Sequence, residues 1–220
     1  MLESFTATTA ALFVVTVLLS YFMGNISPAI LLGRLHGVDI KSEGSGNAGT
    51  TNVLRVLGKK AAVATLVIDI GKGVAAVLFG KLVGYYIFGF NGPYLMAMFC
   101  GLAVFCGHIW PLAFNFKGGK GVATAFGVLV AFKPLLGLCE LAIVIVVVLV
   151  TRKVSLGSII GAISLPIVAY FAFPLYFFNK VYLCWALAMA VIVLAKHRTN
   201  MVRLIKGKES NISFGKNKSA

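Results

Sequence analysis

The run Gly44–Ser45–Gly46–Asn47–Ala48–Gly49–Thr50–Thr51–Asn52–Val53–Leu54–Arg55 holds the first residues able to do chemistry. Glycines let the backbone approach a ligand closely and adopt positive φ. Thr50 or Thr51 is expected to cap a short helix over Asn52–Arg55, and a helix N-terminus with its N–H groups attracts anions. Arg55 adds a planar, permanently charged fork that suits phosphate. The competing reading is a polar loop with a capped helix and no ligand.

Two further stretches carry similar chemistry. Gly107–His108–Ile109–Trp110–Pro111 leads to Phe116–Lys117–Gly118–Gly119–Lys120–Gly121–Val122–Ala123–Thr124. Here glycines flank two lysines ahead of a short helix, so backbone N–H and ammonium groups would face one anion. Lys120 is followed by Gly121 rather than Ser or Thr, so this is not a Walker nucleotide loop. The alternative is a basic turn whose lysines reach a membrane interface. His108 reads as an interfacial histidine with satisfied partners. The third stretch runs from Lys196–His197–Arg198–Thr199–Asn200 to Arg203 and Glu209. On a helix, His197, Asn200 and Arg203 fall three apart along one face. The alternative is an ordinary basic tail.

The elements that position these residues belong to a membrane. Of 220 residues, 60% are hydrophobic, and the mean hydropathy is +0.97, beyond the range of soluble domains. Apolar runs of about 20 residues read as membrane helices. Seven are expected: Thr8 to Leu35, Ala61 to Val83, Tyr94 to Phe114, Gly121 to Phe132, Leu135 to Val150, Leu156 to Phe173 and Val181 to Ala195. The first contains Gly24, Asn25, Ser27 and Pro28 and should bend midway, which a bilayer tolerates only where the freed backbone groups find partners. The fourth is short. No cationic region precedes the first run, so Met1 is expected to remain on an uncleaved helix. The expected fold is all-α, a polytopic membrane helix bundle forming a single domain over residues 1–220.

The charge of +14 fits this reading better than a nucleic-acid partner. Seven crossings send sixteen of the twenty Lys and Arg residues to one side, Lys216 and Lys218 among them. Only Lys81, Lys133 and Lys180 reach the other side, and Lys72 lies inside a segment. The richer side is cytoplasmic by the positive-inside rule, which puts the N-terminus outside, the C-terminus in the cytoplasm and all three stretches on the cytoplasmic face.

The other ionisable residues are few. Asp69 and Lys72, three apart on one helix face, read as an intramembrane ion pair giving structural support. Glu140 is a lone acid without an evident partner. The six acids are dispersed, which disfavours a carboxylate-held Mg²⁺ site, so neither a metal nor a cofactor is expected. Cys100, Cys106, Cys139 and Cys184 lie in apolar segments without a Cys-x-x-Cys pair and read as packing thiols.

Taken together, the three stretches resemble the bacterial acyl-phosphate:glycerol-3-phosphate acyltransferase, or PlsY, family. The resemblance covers nearly the whole chain in length, hydropathy and motif order, although Thr50 stands where the family more often has Ala. It implies transfer of a fatty acyl group from acyl phosphate to the 1-hydroxyl of glycerol 3-phosphate, giving lysophosphatidic acid and phosphate, in the bacterial cytoplasmic membrane with the active site facing the cytoplasm. It also implies a functional link to a soluble enzyme that makes acyl phosphate. Under this reading Lys120, His197, Ser45 and Arg55 form the catalytic set. Gly46, Asn47, Thr51, Asn52, Lys117, Gly118, Gly119, Asn200 and Arg203 bind substrate, and Glu209 pins the tail through a nearby cation. The rival readings are a small transporter or flippase for a phosphorylated metabolite or lipid, and a membrane scaffold that binds anionic lipid through its basic tail.

Overall fold

The computed structural model describes residues 6–89, 92–172 and 179–212, and among these every regular element is a helix. Met1, the end of the sixth segment at Phe173, Lys216 and Lys218 lie outside the described residues. The chain divides into two compact units, residues 1–137 and 138–220.

In the first unit, α1 (Ala7–Asn25) begins at Thr6, whose hydroxyl oxygen accepts from the Thr9 amide. The expected break follows at Ile26–Ser27, and α2 (Pro28–Leu35) restarts with proline at its first position, where no amide is needed. Lys72 supplies the partners that such a break requires. Its ammonium donates to the Gly24 carbonyl at 3.2 Å and the Ile26 carbonyl at 2.7 Å. Beyond α3 (Thr50–Val56) runs α4 (Lys59–Phe88), then α5 (Gly92–Ile109), a 3₁₀ turn (Leu112–Phe114) and α6 (Val122–Phe132).

Glycine is the packing device between these helices. A Cβ on Gly24 would strike the Val104 carbonyl, and one on Gly107 the Tyr21 carbonyl, so α1 and α5 meet backbone to backbone. Gly73 and Gly127 do the same for α4 and α6, facing the Thr124 and Ile70 carbonyls. Small residues are what membrane helices use for close approach. Lys81, counted from the sequence among the charges of the less basic side, lies within α4. Its ammonium donates to the carbonyls of Ala131 at 2.7 Å and Phe132 at 3.3 Å, closing the C-terminal end of α6.

Helix α7 (Pro134–Thr151) begins at the end of the first unit and runs on into the second, where a turn with a left-handed Arg152 joins it to α8 (Val154–Ala172). Gly157 and Gly161 of α8 leave no room for a side chain against Val144 and Val148 of α7. Glu140 has the partner that the sequence did not reveal, since the Ser164 hydroxyl donates to its carboxylate at 2.9 Å. Helices α9 (Asn179–Lys196) and α10 (Arg198–Ile205) follow.

Among the described residues, five helical stretches are long and apolar enough to cross a membrane: Ala7–Leu35, Lys59–Phe88, Pro93–Phe114, Pro134–Thr151 and Val154–Phe171. Lys180–Lys196 with Arg198–Ile205, bent by 59°, makes a sixth if taken as one broken span, and Val122–Phe132 is a shorter apolar helix. Val146, Leu149 and Val150 are exposed, so this side of α7 faces outward, as a lipid-facing surface requires. Of the four thiols, Cys100 is buried and Cys184 exposed.

Candidate active site

The 44–55 stretch is held together by Asn52. This side chain is buried, and its amide nitrogen donates to the carbonyls of Ile40 at 2.9 Å and Glu43 at 3.0 Å. Its oxygen accepts from the Ser45 amide at 2.8 Å. Both donor hydrogens of Asn52 therefore serve the loop, and its part in any site is to shape the turn that carries Ser45. Gly44 and Gly46 are left-handed, and a side chain on Gly44 would collide with that same Asn52 oxygen. The helix starts earlier than expected, at Thr50, with Gly49 as its cap and no side-chain capping bond, so neither Thr50 nor Thr51 caps it. Thr51 and Asn47 are half-buried, while Ser45, Gly46 and Arg55 are exposed.

The second stretch reverses direction sharply after the 3₁₀ turn. Asn115 and Phe116 are both left-handed, a conformation that costs about 1–2 kcal/mol for a residue with a Cβ. The reversal brings the Gly118 amide to the Ile109 carbonyl and the Gly119 amide to the His108 carbonyl, each at 3.2 Å. These two amides, expected to face an anion, instead satisfy the C-terminal carbonyls of α5. The charge of this stretch resides in Lys117, which is exposed, and Lys120, which is half-buried and immediately precedes Gly121 at the start of α6. Helical geometry leaves the first amides of α6 without intrahelical acceptors.

The two stretches meet. A Cβ on Gly119 would lie 2.7 Å from the Ala48 carbonyl and would also strike the His108 ring. Behind this contact, His108 belongs to a buried cluster, its Nδ1 lying 2.8 Å from the Lys72 ammonium and 3.2 Å from Asp69 Oδ1. Asp69 and Lys72 form the expected ion pair at 2.7 Å. One network thus supports the helix break, α4 and the wall of the glycine-rich loop. The turn is also pinned from α1, where the Tyr21 hydroxyl donates to the Trp110 carbonyl at 2.7 Å and the Asn25 oxygen accepts from the Ala113 amide at 3.2 Å.

The third stretch lies in the second unit. His197 sits at the bend between α9 and α10, buried, with Nδ1 2.8 Å from the Val193 carbonyl. Glu209 gathers the rest. Its carboxylate accepts from Arg203 Nε at 2.7 Å, Asn200 Nδ2 at 2.7 Å and the Ser155 hydroxyl at 2.6 Å. Glu209 does pair with a cation, as expected, and it also ties α10 to α8 through Ser155. No local spacing announced Ser155, because its partner is 54 residues away.

A cleft of about 510 Å³ that no motif predicted opens beside the first two stretches, lined by Arg34, Asp39, Lys41, Phe114 and Asn115.

Residues 14–207 match the sequence profile of the glycerol-3-phosphate acyltransferases. The chain belongs to the glycerol-3-phosphate acyltransferase family. Among its relatives, the glycerol-3-phosphate acyltransferase of Thermoanaerobacter pseudethanolicus is 43% identical over 201 residues, covering 90% of this chain and 95% of the relative. That of Finegoldia magna is 45% identical over 199 residues, covering 90% and 93%. Crystal structures of PlsY, an integral membrane glycerol 3-phosphate acyltransferase, superimpose with TM-scores of 0.80 for the glycerol 3-phosphate form and 0.77 for the lysophosphatidic acid form. Both are 36% identical to this chain and cover 91% of it, with 96% and 95% of the PlsY chain matched. The helices, the glycine-rich loops and the membership agree on an integral membrane protein of this family.

Proposed function

We propose that the protein transfers a fatty acyl group from acyl phosphate to the 1-hydroxyl of glycerol 3-phosphate, releasing lysophosphatidic acid and inorganic phosphate. The observation that supports this reading is the contact between the two glycine-rich stretches at Gly119, Ala48 and His108, stretches that carry Ser45, Lys117 and Lys120 on loops and Arg55 on α3 of the same unit. The PlsY forms with glycerol 3-phosphate and with lysophosphatidic acid support the acceptor and the product. An acyl phosphate donor suits a site built from cations, because the leaving group is itself a phosphate.

In the proposed reaction the acceptor hydroxyl oxygen attacks the acyl carbon, the bond from that carbon to the phosphate oxygen breaks, and phosphate departs. Lys120 and the first amides of α6 neutralise the departing phosphate. Lys117, Arg55, Ser45, Asn47 and Thr51 hold phosphate oxygens, while Gly46, Gly118 and Gly119 keep side chains out of the way. His197 and Asn200 orient glycerol 3-phosphate, with Arg203 adding charge and Glu209 fixing the direction of both Asn200 and Arg203. Acyl phosphate is an activated donor, so positioning and charge neutralisation supply most of the catalysis. The hydroxyl proton passes to His197 or to a substrate phosphate oxygen.

Residues 1–220 act in this proposal as one acyltransferase domain with seven membrane segments, Val122–Phe132 being the short one. The N-terminus is outside and the loops face the cytoplasm of a bacterium. A soluble enzyme would supply the acyl phosphate. Neither metal nor cofactor is required.

The deciding experiment measures phosphate release by purified protein with palmitoyl phosphate and glycerol 3-phosphate, with palmitoyl-CoA in parallel and a Lys120→Ala control. Release that needs both substrates, ignores the CoA ester and collapses in the variant is expected. Turnover with palmitoyl-CoA alone would overturn the donor. No turnover with either in folded protein would favour a transporter of phosphorylated metabolites.

A further inference from the structure

The cleft between α2 and the turn after α5 is lined by two cations, Arg34 and Lys41, and by one carboxylate, Asp39. The Arg34 guanidinium stands 5.3 Å from the centroid of the Phe114 ring, and the Lys41 ammonium stands 5.9 Å from the same centroid. One aromatic ring thus has two cations beside it. The nearest acid, Asp39, turns a carboxylate oxygen to the Lys41 backbone amide at 3.0 Å. Among the described residues neither Arg34 nor Lys41 forms an ion pair with a carboxylate. Burial lowers the Lys41 pKa. Asp39 opposes that shift, and the neighbouring charges of Lys117 and Arg34 add to it. Three cations repel one another here, and a bound anion would relieve the repulsion. The volume of about 510 Å³ lies in the ~300–1,000 Å³ range of small-molecule sites.

We propose that this cleft is a second anion site, distinct from the Lys120 stretch, which takes a phosphate monoester between Arg34 and Lys41 with its organic portion against Phe114. The guanidinium offers a two-pronged donor for phosphate, Lys41 a point charge, and the ring a face for the carbon skeleton. Its position explains its use. Lys41 lies three residues before the Gly44–Arg55 stretch, and Phe114 lies three residues before Lys117. A phosphate monoester held here waits beside both candidate loops, so the cleft serves as a holding site. Two sources share this chemistry: a soluble glycerol phosphate, and the headgroup of a lipid phosphate monoester such as phosphatidic acid. The inference rests on the cleft's own residues and goes beyond the proposed reaction.

The test is residue-resolved lysine labelling. The full chain in nanodiscs is treated with an amine-acetylating reagent, and Lys41 is quantified by mass spectrometry against the exposed Lys59 and Lys60. Three additions are compared at constant ionic strength: inorganic phosphate, glycerol 3-phosphate, and phosphatidic acid replacing part of the phosphatidylcholine. Labelling of Lys41 should fall several-fold while Lys59 and Lys60 stay unchanged. Protection by the soluble phosphates identifies a soluble occupant, and protection by phosphatidic acid alone identifies a lipid one. Arg34→Gln, a change at an exposed position, should raise the phosphate needed for half-protection by about tenfold, as loss of a charge-assisted hydrogen bond does. In Lys120→Ala protein the protection should persist. No protection of Lys41 by any addition in folded protein would overturn the proposal, and so would protection that vanishes in Lys120→Ala, which would mean one shared site. Protection without acyl transfer would leave this site standing and sink the proposed reaction instead.

Discussion

His197 Nδ1 lies 2.8 Å from the Val193 carbonyl oxygen, and the polarity of that bond fixes which ring nitrogen holds the proton. A carbonyl only accepts, so Nδ1 donates and, in the neutral ring, Nε2 is the basic nitrogen. If Nε2 takes the acceptor's hydroxyl proton, His197→Gln should lower kcat by about 10²–10⁴-fold and leave the KM for glycerol 3-phosphate nearly unchanged. A raised KM with kcat largely retained would confine His197 to holding the substrate and assign the proton to a substrate phosphate.

Asn52→Ala would strip the Ile40 and Glu43 carbonyls and the Ser45 amide of their shared partner. A buried polar group left unmatched costs roughly 1–3 kcal/mol. Thermal unfolding should show a loss of at least that size, and hydrogen exchange should quicken at residues 40–46 before the helices open. A variant as stable as the parent, with a weakened substrate affinity alone, would make Asn52 a direct ligand.

Gly119→Ala tests the seam between the two loops. Its methyl group would meet both the Ala48 carbonyl and the His108 ring, so the protein should lose about 1–3 kcal/mol, the usual cost of overpacking, and most of its turnover. Gly71→Ala is the matched control. No neighbour lies within 4 Å of a Cβ there, and in a helix the change should be neutral or stabilise by up to ~1 kcal/mol. Equal effects of the two substitutions in a melting experiment would argue against the seam.

Glu209 gives a pH signature. Burial works against its charge, but hydrogen bonds from Ser155, Arg203 and Asn200, with the Arg203 charge, outweigh it and hold the carboxyl below its ordinary 4.5. The folded value lies below the unfolded one. The stabilisation is therefore complete above the unfolded value and disappears as pH falls through the folded value. Amide exchange over residues 198–205, corrected for its intrinsic pH dependence, should accelerate as pH drops below 4.5. Glu209→Gln should remove this dependence and loosen α10 already at neutral pH.

Local pattern in the sequence carried most of the helix framework. The break at Asn25–Pro28, the Asp69–Lys72 pair and the cation pairing of Glu209 were all readable, because each depends on residues close in the chain or on the cost of charge in an apolar segment. Contacts set by tertiary folding were not. The Gly118 and Gly119 amides looked like anion donors until the left-handed Asn115 and Phe116 turned them onto α5. Asn52 looked like a ligand because nothing local reveals that its partners lie 7 to 12 residues upstream. The Glu140–Ser164 contact could have been found, since both residues stand 12 positions from Arg152, on opposite arms of a hairpin. The Arg34–Phe114–Lys41 cleft could not, because Phe114 arrives from another helix.

The bond from Lys81 to the end of α6 has a consequence for how the protein meets membranes of different thickness. Eleven residues rise about 16 Å, roughly half of a ~30 Å hydrocarbon core. Longer helices answer a thicker or thinner bilayer by tilting. Helix α6 has no such obligation, because the Lys81 ammonium, rather than the aqueous phase, solvates its last carbonyls. Its end is anchored to α4 instead of to the lipid, so the loop at its other end, with Lys120, keeps its position relative to α4 when the surrounding acyl chains change.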